Sequence, residues 1–218
     1  IFLFVTSFIP KDFNLFQLGL QIQLIYILPH SLPALGLTFD RTSLDIMKEK
    51  ARDAEEIFSK NVFRLMIIQI AYLSSAILIT SFPIINAFLS NPGIVNDLNN
   101  NINPEENLKL LNWAMAKPRS ISLAVIFIIE TFTIFSIRRQ NIPVWKSFRK
   151  DMSPWLLIFM GLTMFALFAV IYIKPLSDAV FLVPLDIFDW MVILLISLPI
   201  IPILEAFKWY VRKKEERF

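Results

Sequence analysis

Apolar residues in this chain arrive in blocks, and the length of those blocks is what most restricts its fold. A bilayer's hydrocarbon core takes about 20 helical residues to cross. Stretches near that length occur at about 15–37, 62–89, 121–137, 155–173 and 187–204, with a shorter one at 1–9. Charged or Pro/Asn-rich segments separate them. Within lipid a backbone must satisfy its own N–H and C=O groups, so blocks of this kind become helices. The expected fold is all-α, a polytopic transmembrane helix bundle with five full spans plus one partial N-terminal span. The first block, Ile1–Ile9, covers half a bilayer and lacks the basic flank of a signal peptide. It reads as the end of a helix begun upstream, so the 218 residues are expected to be one membrane domain of a larger protein.

Composition agrees with this reading. Hydrophobic residues make up 56% of the chain, above the roughly 45–50% of soluble domains, and the blocks leave no room for a separate soluble core. With no Cys and one His, the sequence has neither a disulfide framework nor a thiolate or multi-His metal site. The net charge of +3 does not point to nucleic acid, because the basic residues sit in the loops between apolar blocks. If 40–60, 138–150 and the C-terminal tail share one side of the membrane, that side holds 16 of the 21 Lys and Arg residues, Arg64 included. Alternating spans require the same grouping. The positive-inside rule then places the C-terminus in the cytoplasm. Trp155, Trp190 and Trp209 fall near the expected membrane boundaries, where an indole is favoured.

Polar side chains at membrane depth are costly and mark functional sites. Glu130 has apolar neighbours for about two turns on either side, which puts it near the bilayer centre. It is a candidate ion ligand or proton carrier; a protonated Glu bonded to a neighbouring helix is the plainer reading. His30 and Ser31 lie between Pro29 and Pro33. Two prolines four apart each remove a backbone donor, so a local helix break is expected there. Unwound backbone at this depth is tolerated only where protein or a cavity surrounds it, and such breaks often line transport pathways. His30 by itself also fits a packed, hydrogen-bonded residue beside a kink. Gln21, Gln23 and Gln69 are accounted for by hydrogen bonds between helices, and Glu205 with Lys208 by a pair along one helix. No phosphate loop or hydrolase motif occurs, so this chain contains no catalytic residues for ATP hydrolysis.

The order of these features resembles the membrane region of P-type cation-transporting ATPases, in the calcium-pump branch. Gln23–Met47, with Leu32-Pro33-Ala34, Asp45-Ile46-Met47 and the basic residues that follow, looks like that family's sixth membrane helix and the loop after it. Asp186–Lys214, with its Trp, Ser-Leu-Pro and Glu-x-x-Lys, resembles the last helix. Ile129-Glu130 resembles the eighth, where the branch places an ion-ligating Glu, and Pro175-Leu176 the loop before the tenth. The likeness covers essentially the whole chain, from the end of helix five through helix ten.

The resemblance implies a part of an ion pathway, with the lipid bilayer, a transported cation and upstream ATPase domains of the same protein as partners. ATP and Mg are expected for those upstream domains, and no cofactor for this chain. By the alignment, the helix-six ligand positions fall on Tyr26, Pro29 and His30, and of the family's ligand set in this region only Glu130 remains. A hard cation such as calcium wants several oxygen ligands, so the expectation is that calcium is disfavoured and a proton possible. The alternative is a non-transporting pseudo-pump, a membrane scaffold or regulatory subunit that has lost its helix-six ligands.

Overall fold

The computed structural model describes residues 24, 27–40, 60–93, 96, 104–138, 143–150 and 152–215. The first block and about half of the second lie outside these residues. All regular elements among the described residues are helical. A π-helical turn, Ile27–Ser31, runs into α1 (Leu32–Thr38). There follow α2 (Lys60–Leu89), α3 (Pro104–Ile137), α4 (Val144–Lys150), α5 (Pro154–Tyr172), α6 (Lys174–Ala179), α7 (Ile187–Ser197) and α8 (Ile200–Glu215). Four stretches are long and apolar enough to cross a membrane: Asn61–Ala87, Lys109–Ile137, Pro154–Tyr172 and Ile187–Lys213.

The helix around the fourth apolar block is longer than the block itself. It starts at Pro104, runs through the polar stretch before Ser120 and has Pro118 in its interior. Pro104 fits the first helical position, where its missing N–H costs nothing, and Glu105 and Glu106 add negative charge at the positive end of the helix dipole. Farther along, Met115 and Ala116 are buried.

α3 is the centre of the bundle. In its most apolar stretch 78% is buried, against 17–28% in the other three spans. It packs against α2, α5, α7, α8 and the π turn. Leu123, Ile126, Phe127 and Ile129 meet Ile77 of α2, Leu167 and Ile171 of α5, Ile193 of α7 and Leu204 of α8 in one core. The outer helices leave large apolar side chains exposed, among them Phe82, Phe165, Phe188 and Leu195. In a membrane those faces meet lipid.

Polar contacts fix α3 to the last span at both ends. At one end Lys117 Nζ lies 3.1 Å from Asp189 Oδ2 and 3.8 Å from Asp186 Oδ2. Asp186 and Asp189 also form a capping box at the start of α7. Beside them the Ser120 hydroxyl donates to Val183 O at 2.8 Å, and Val183 N–H donates back to it at 2.9 Å. At the other end Lys208 pairs with Glu205 and donates to Ser136 O at 2.8 Å. Ser136 Oγ donates to Glu205 Oε1 at 3.2 Å, and all three residues are buried. Arg138, just past α3, forms a buried ion pair with Asp40 beyond α1 and reaches Ser147 Oγ of α4 at 3.4 Å. Ser153 Oγ donates to Phe39 O at 3.1 Å, tying the start of α5 to the same corner.

The last span is interrupted between Ser197 and Ile200. Pro199 has no N–H for the ladder, and the Tyr72 hydroxyl of α2 donates to Ile196 O in the last turn before the gap.

Two outcomes follow for thermal unfolding of the full-length protein in detergent. A Cβ at Gly36 would stand 3.1 Å from Leu156 Cδ1 and 3.2 Å from Leu156 Cα, where α1 crosses α5. Gly36→Val should therefore destabilise by about 1–3 kcal/mol, with Gly36→Ala milder. Lys208→Met leaves a buried carboxylate unpaired and should cost about 3–5 kcal/mol, most of it recovered in Glu205→Leu/Lys208→Met. An additive double variant would show that the two residues are not coupled.

Candidate ion-binding site

Glu130 sits two turns from the C-terminal end of the span Lys109–Ile137, on the central helix, and is 8% exposed. Placing a carboxyl group here requires polar partners, because lipid and core supply none. Two neighbouring elements supply them. The Gln69 amide of α2 donates from Nε2 to Glu130 Oε2 at 3.0 Å. From the opposite side His30 of the π turn brings Nδ1 to 3.8 Å from the same oxygen. That separation is ion-pair range and too long for a direct hydrogen bond.

The π turn accounts for the position of the imidazole. In a π-helix the carbonyl of residue i accepts from residue i+5. For Leu28 that residue is Pro33, which has no N–H. Thr163 Oγ1 of α5 approaches Leu28 O at 3.4 Å, a weak bond, while donating at 2.9 Å to Phe159 O within its own helix. The opened turn thus lies against α5 on one side and α3 on the other. Pro29 and Pro33 are buried, whereas His30 and Ser31 keep substantial exposure. The His30 side chain is 43% exposed and that of Glu130 11%, so the pair spans the boundary between the core and an accessible face.

The structure therefore brings Glu130 and His30 together. Ser31 is on the exposed side of the same turn, and Tyr26 lies outside the described residues. Gln69, read from sequence as a hydrogen bonder between helices, has Glu130 as its partner. One turn along α3 from Glu130, Thr133 buries a hydroxyl that has no hydrogen-bond partner. One further turn leads to Ser136 and its contact with Glu205, whose Oε2 is likewise buried without a partner. Glu130, Thr133 and Ser136 are spaced three apart and line one face of α3. Among the described residues no group of three or more His, Cys, Asp or Glu side chains converges as a metal cage would.

This cluster can bind and exchange a proton or engage a small cation through one carboxylate and one amide oxygen. The imidazole adds a group that ordinarily titrates near neutral pH.

Comparison with known proteins identifies the family. The family described as "Cation transporting ATPase, C-terminus" matches residues 18–210. The chain is 36% identical over 107 residues to the endoplasmic reticulum-type calcium-transporting ATPase 2 of Arabidopsis thaliana, covering 46% of this chain and 10% of that protein. It is 30% identical over 98 residues to the endoplasmic reticulum-type calcium-transporting ATPase 4 of the same plant, covering 43% of this chain and 9% of that protein. The matched part is thus only about a tenth of either relative's length. With the match extending over nearly all of an all-helical, multi-span bundle, the chain belongs to the cation-transporting ATPase C-terminal family and is the C-terminal transmembrane domain of a P-type ATPase.

Proposed function

We propose that this domain forms part of the ion pathway of an ATP-driven cation pump, and that Glu130 with His30 and Gln69 is a proton-carrying site within it. The observation that supports this is the 3.8 Å approach of the His30 imidazole to a buried carboxylate within the central span. ATP is hydrolysed with Mg by upstream domains of the same protein. Their conformational work reaches the cluster through the helices that hold it.

The donor set favours a proton over calcium. Calcium takes 6–8 oxygen ligands, typically several carboxylates and carbonyls. The cluster offers one carboxylate, one amide and an imidazole, and imidazole is a poor ligand for a hard cation. A carboxylate beside an imidazole is instead a pair able to pass a proton between them, as in the Glu/His relays of transporters. Gln69 has a distinct task. Its N–H holds one carboxylate oxygen, which orients the group toward the π turn whether or not it carries a proton. The relatives are named as calcium transporters, so the reading implies that this chain has changed ion. The basic residues grouped at the α4 and α8 end support a cytoplasmic position for that end and for the C-terminus.

The test is ATP-driven transport by the full-length protein in sealed vesicles, followed with a pH-sensitive dye and in parallel with radioactive calcium. Proton movement that Glu130→Gln abolishes and His30→Ala lowers by about tenfold or more is the expected result. Calcium uptake by the wild-type protein would overturn the proton assignment. Transport unchanged in Glu130→Gln would remove Glu130 from the pathway, and no ATP-driven transport of any cation would favour a non-transporting scaffold. A second measurement addresses Gln69. In Gln69→Leu the carboxyl loses its donor, and a double-mutant cycle with Glu130→Leu should give a coupling of about 0.6–1.7 kcal/mol in thermal stability. A coupling of zero would mean that the amide does not hold the carboxylate.

A further inference from the structure

The short helix α4, Val144–Lys150, belongs neither to a span nor to the cluster just described. It joins the end of α3 to the start of α5, and both ends belong to the same face of the bundle. Its sequence, VWKSFRK, holds three basic residues and no acidic one. From Arg138 to Lys150 there are five basic residues and still no acid. Arg138 is occupied by Asp40, so its charge is balanced within the protein.

The depth of α4 follows from its contacts. Ser147 is buried against Arg138, and Phe148 brings its ring to 6.1 Å from that of Phe135, in the last turn of α3. The helix thus lies across the rim of the bundle at the level where the span ends. Trp145 is 61% exposed and Phe148 52%. They stand three residues apart on one side of the helix, with Lys146 also exposed beside them. Nearby on the same rim, Phe39 and Trp155 are exposed and meet in a tilted pair with 5.8 Å between ring centroids. At the end of α8, Trp209 and Tyr210 are exposed too, with Lys213 Nζ 5.0 Å over the Trp209 ring.

Aromatic rings facing outward at the depth of a span's end belong to the headgroup layer. A helix there with aromatics on one side and Lys or Arg on the other fits an interfacial anchor, whose cations take anionic headgroups. We propose that α4 is a binding surface for anionic phospholipid: Trp145 and Phe148 insert at the acyl boundary, and the basic residues of the helix, with Lys146 exposed beside the rings, take the headgroup phosphates. The charge match selects anionic lipid, since α4 carries three basic residues and no acidic one beside rings suited to the headgroup layer. The proposal does not depend on which cation is carried, and transport by Glu130 variants is a separate measurement.

The experiment uses the full-length protein reconstituted in nanodiscs of phosphatidylcholine with about 30% phosphatidylserine, then examined by native mass spectrometry for retained lipid. The triple variant Lys146→Gln/Arg149→Gln/Lys150→Gln should lose phosphatidylserine retention at least about five-fold, the effect of one cation near an anionic surface. Lys146→Arg/Lys150→Arg should keep it, and Lys117→Gln at the opposite end should leave it unchanged. A benzoylphenylalanine photocrosslinker at position 145 should capture lipid, which reports on the surface even where the triple variant is unstable. Retention equal to wild type in a folded triple variant would overturn the proposal. So would crosslinking of position 145 to another part of the protein, which would make the rim a domain contact instead.

Discussion

A carboxyl group at the centre of a membrane can stay there only if other helices bring it polar atoms, and this requirement organises the bundle around Glu130. The residue sits on the most buried helix, α3. Gln69 on α2 and His30 on the π turn reach it from two directions. Each partner fixes the rotation of its own element about its axis. If α2 turned by one residue, Gln69 would leave the carboxylate and a Leu or Ile would face it. Packing of the apolar core and satisfaction of one polar group therefore select the same arrangement, as expected where a core is specified by both.

The π turn is the second consequence of this requirement. A regular helix through Pro29 and Pro33 would leave carbonyls without donors in a place where no water reaches them. The turn opens against α5, where the Thr163 hydroxyl approaches Leu28 O, the carbonyl that the π register aims at Pro33, and His30 comes to lie beside Glu130 of α3. Sequence chemistry, local backbone and the geometry of the site are one chain of cause here.

The all-helical class and the spans were legible because lipid permits few alternatives to an apolar helix of that length. Glu130 was legible for the same reason: a charge-bearing side chain in the middle of such a block has no bland explanation of equal strength. What could not be read is which residues of different helices share a depth. Nothing in the local sequence of Gln69 distinguishes a partner of Glu130 from a partner of any other polar group. The pairing of Arg138 with Asp40, 98 residues apart, depends on where two loops end after the helices have packed. The helix from Pro104 through Pro118 was obscured because its Asn and Pro content reads as a loop. Buried contacts such as Met115 supply a tertiary reason to wind that propensity alone does not.

The last span is pinned to α3 twice, by Lys117 with Asp189 near one end and by Lys208 and Glu205 on Ser136 near the other. Between the pins its backbone ladder is open at Pro199. A rod held at two points cannot slide along its neighbour like a piston, but it can bow at an unbraced joint. Tyr72 braces that joint from α2, one turn along from Gln69. Any flexing of the span at Pro199 therefore presses on the helix that carries the amide gripping Glu130, and makes the proline gap a fulcrum.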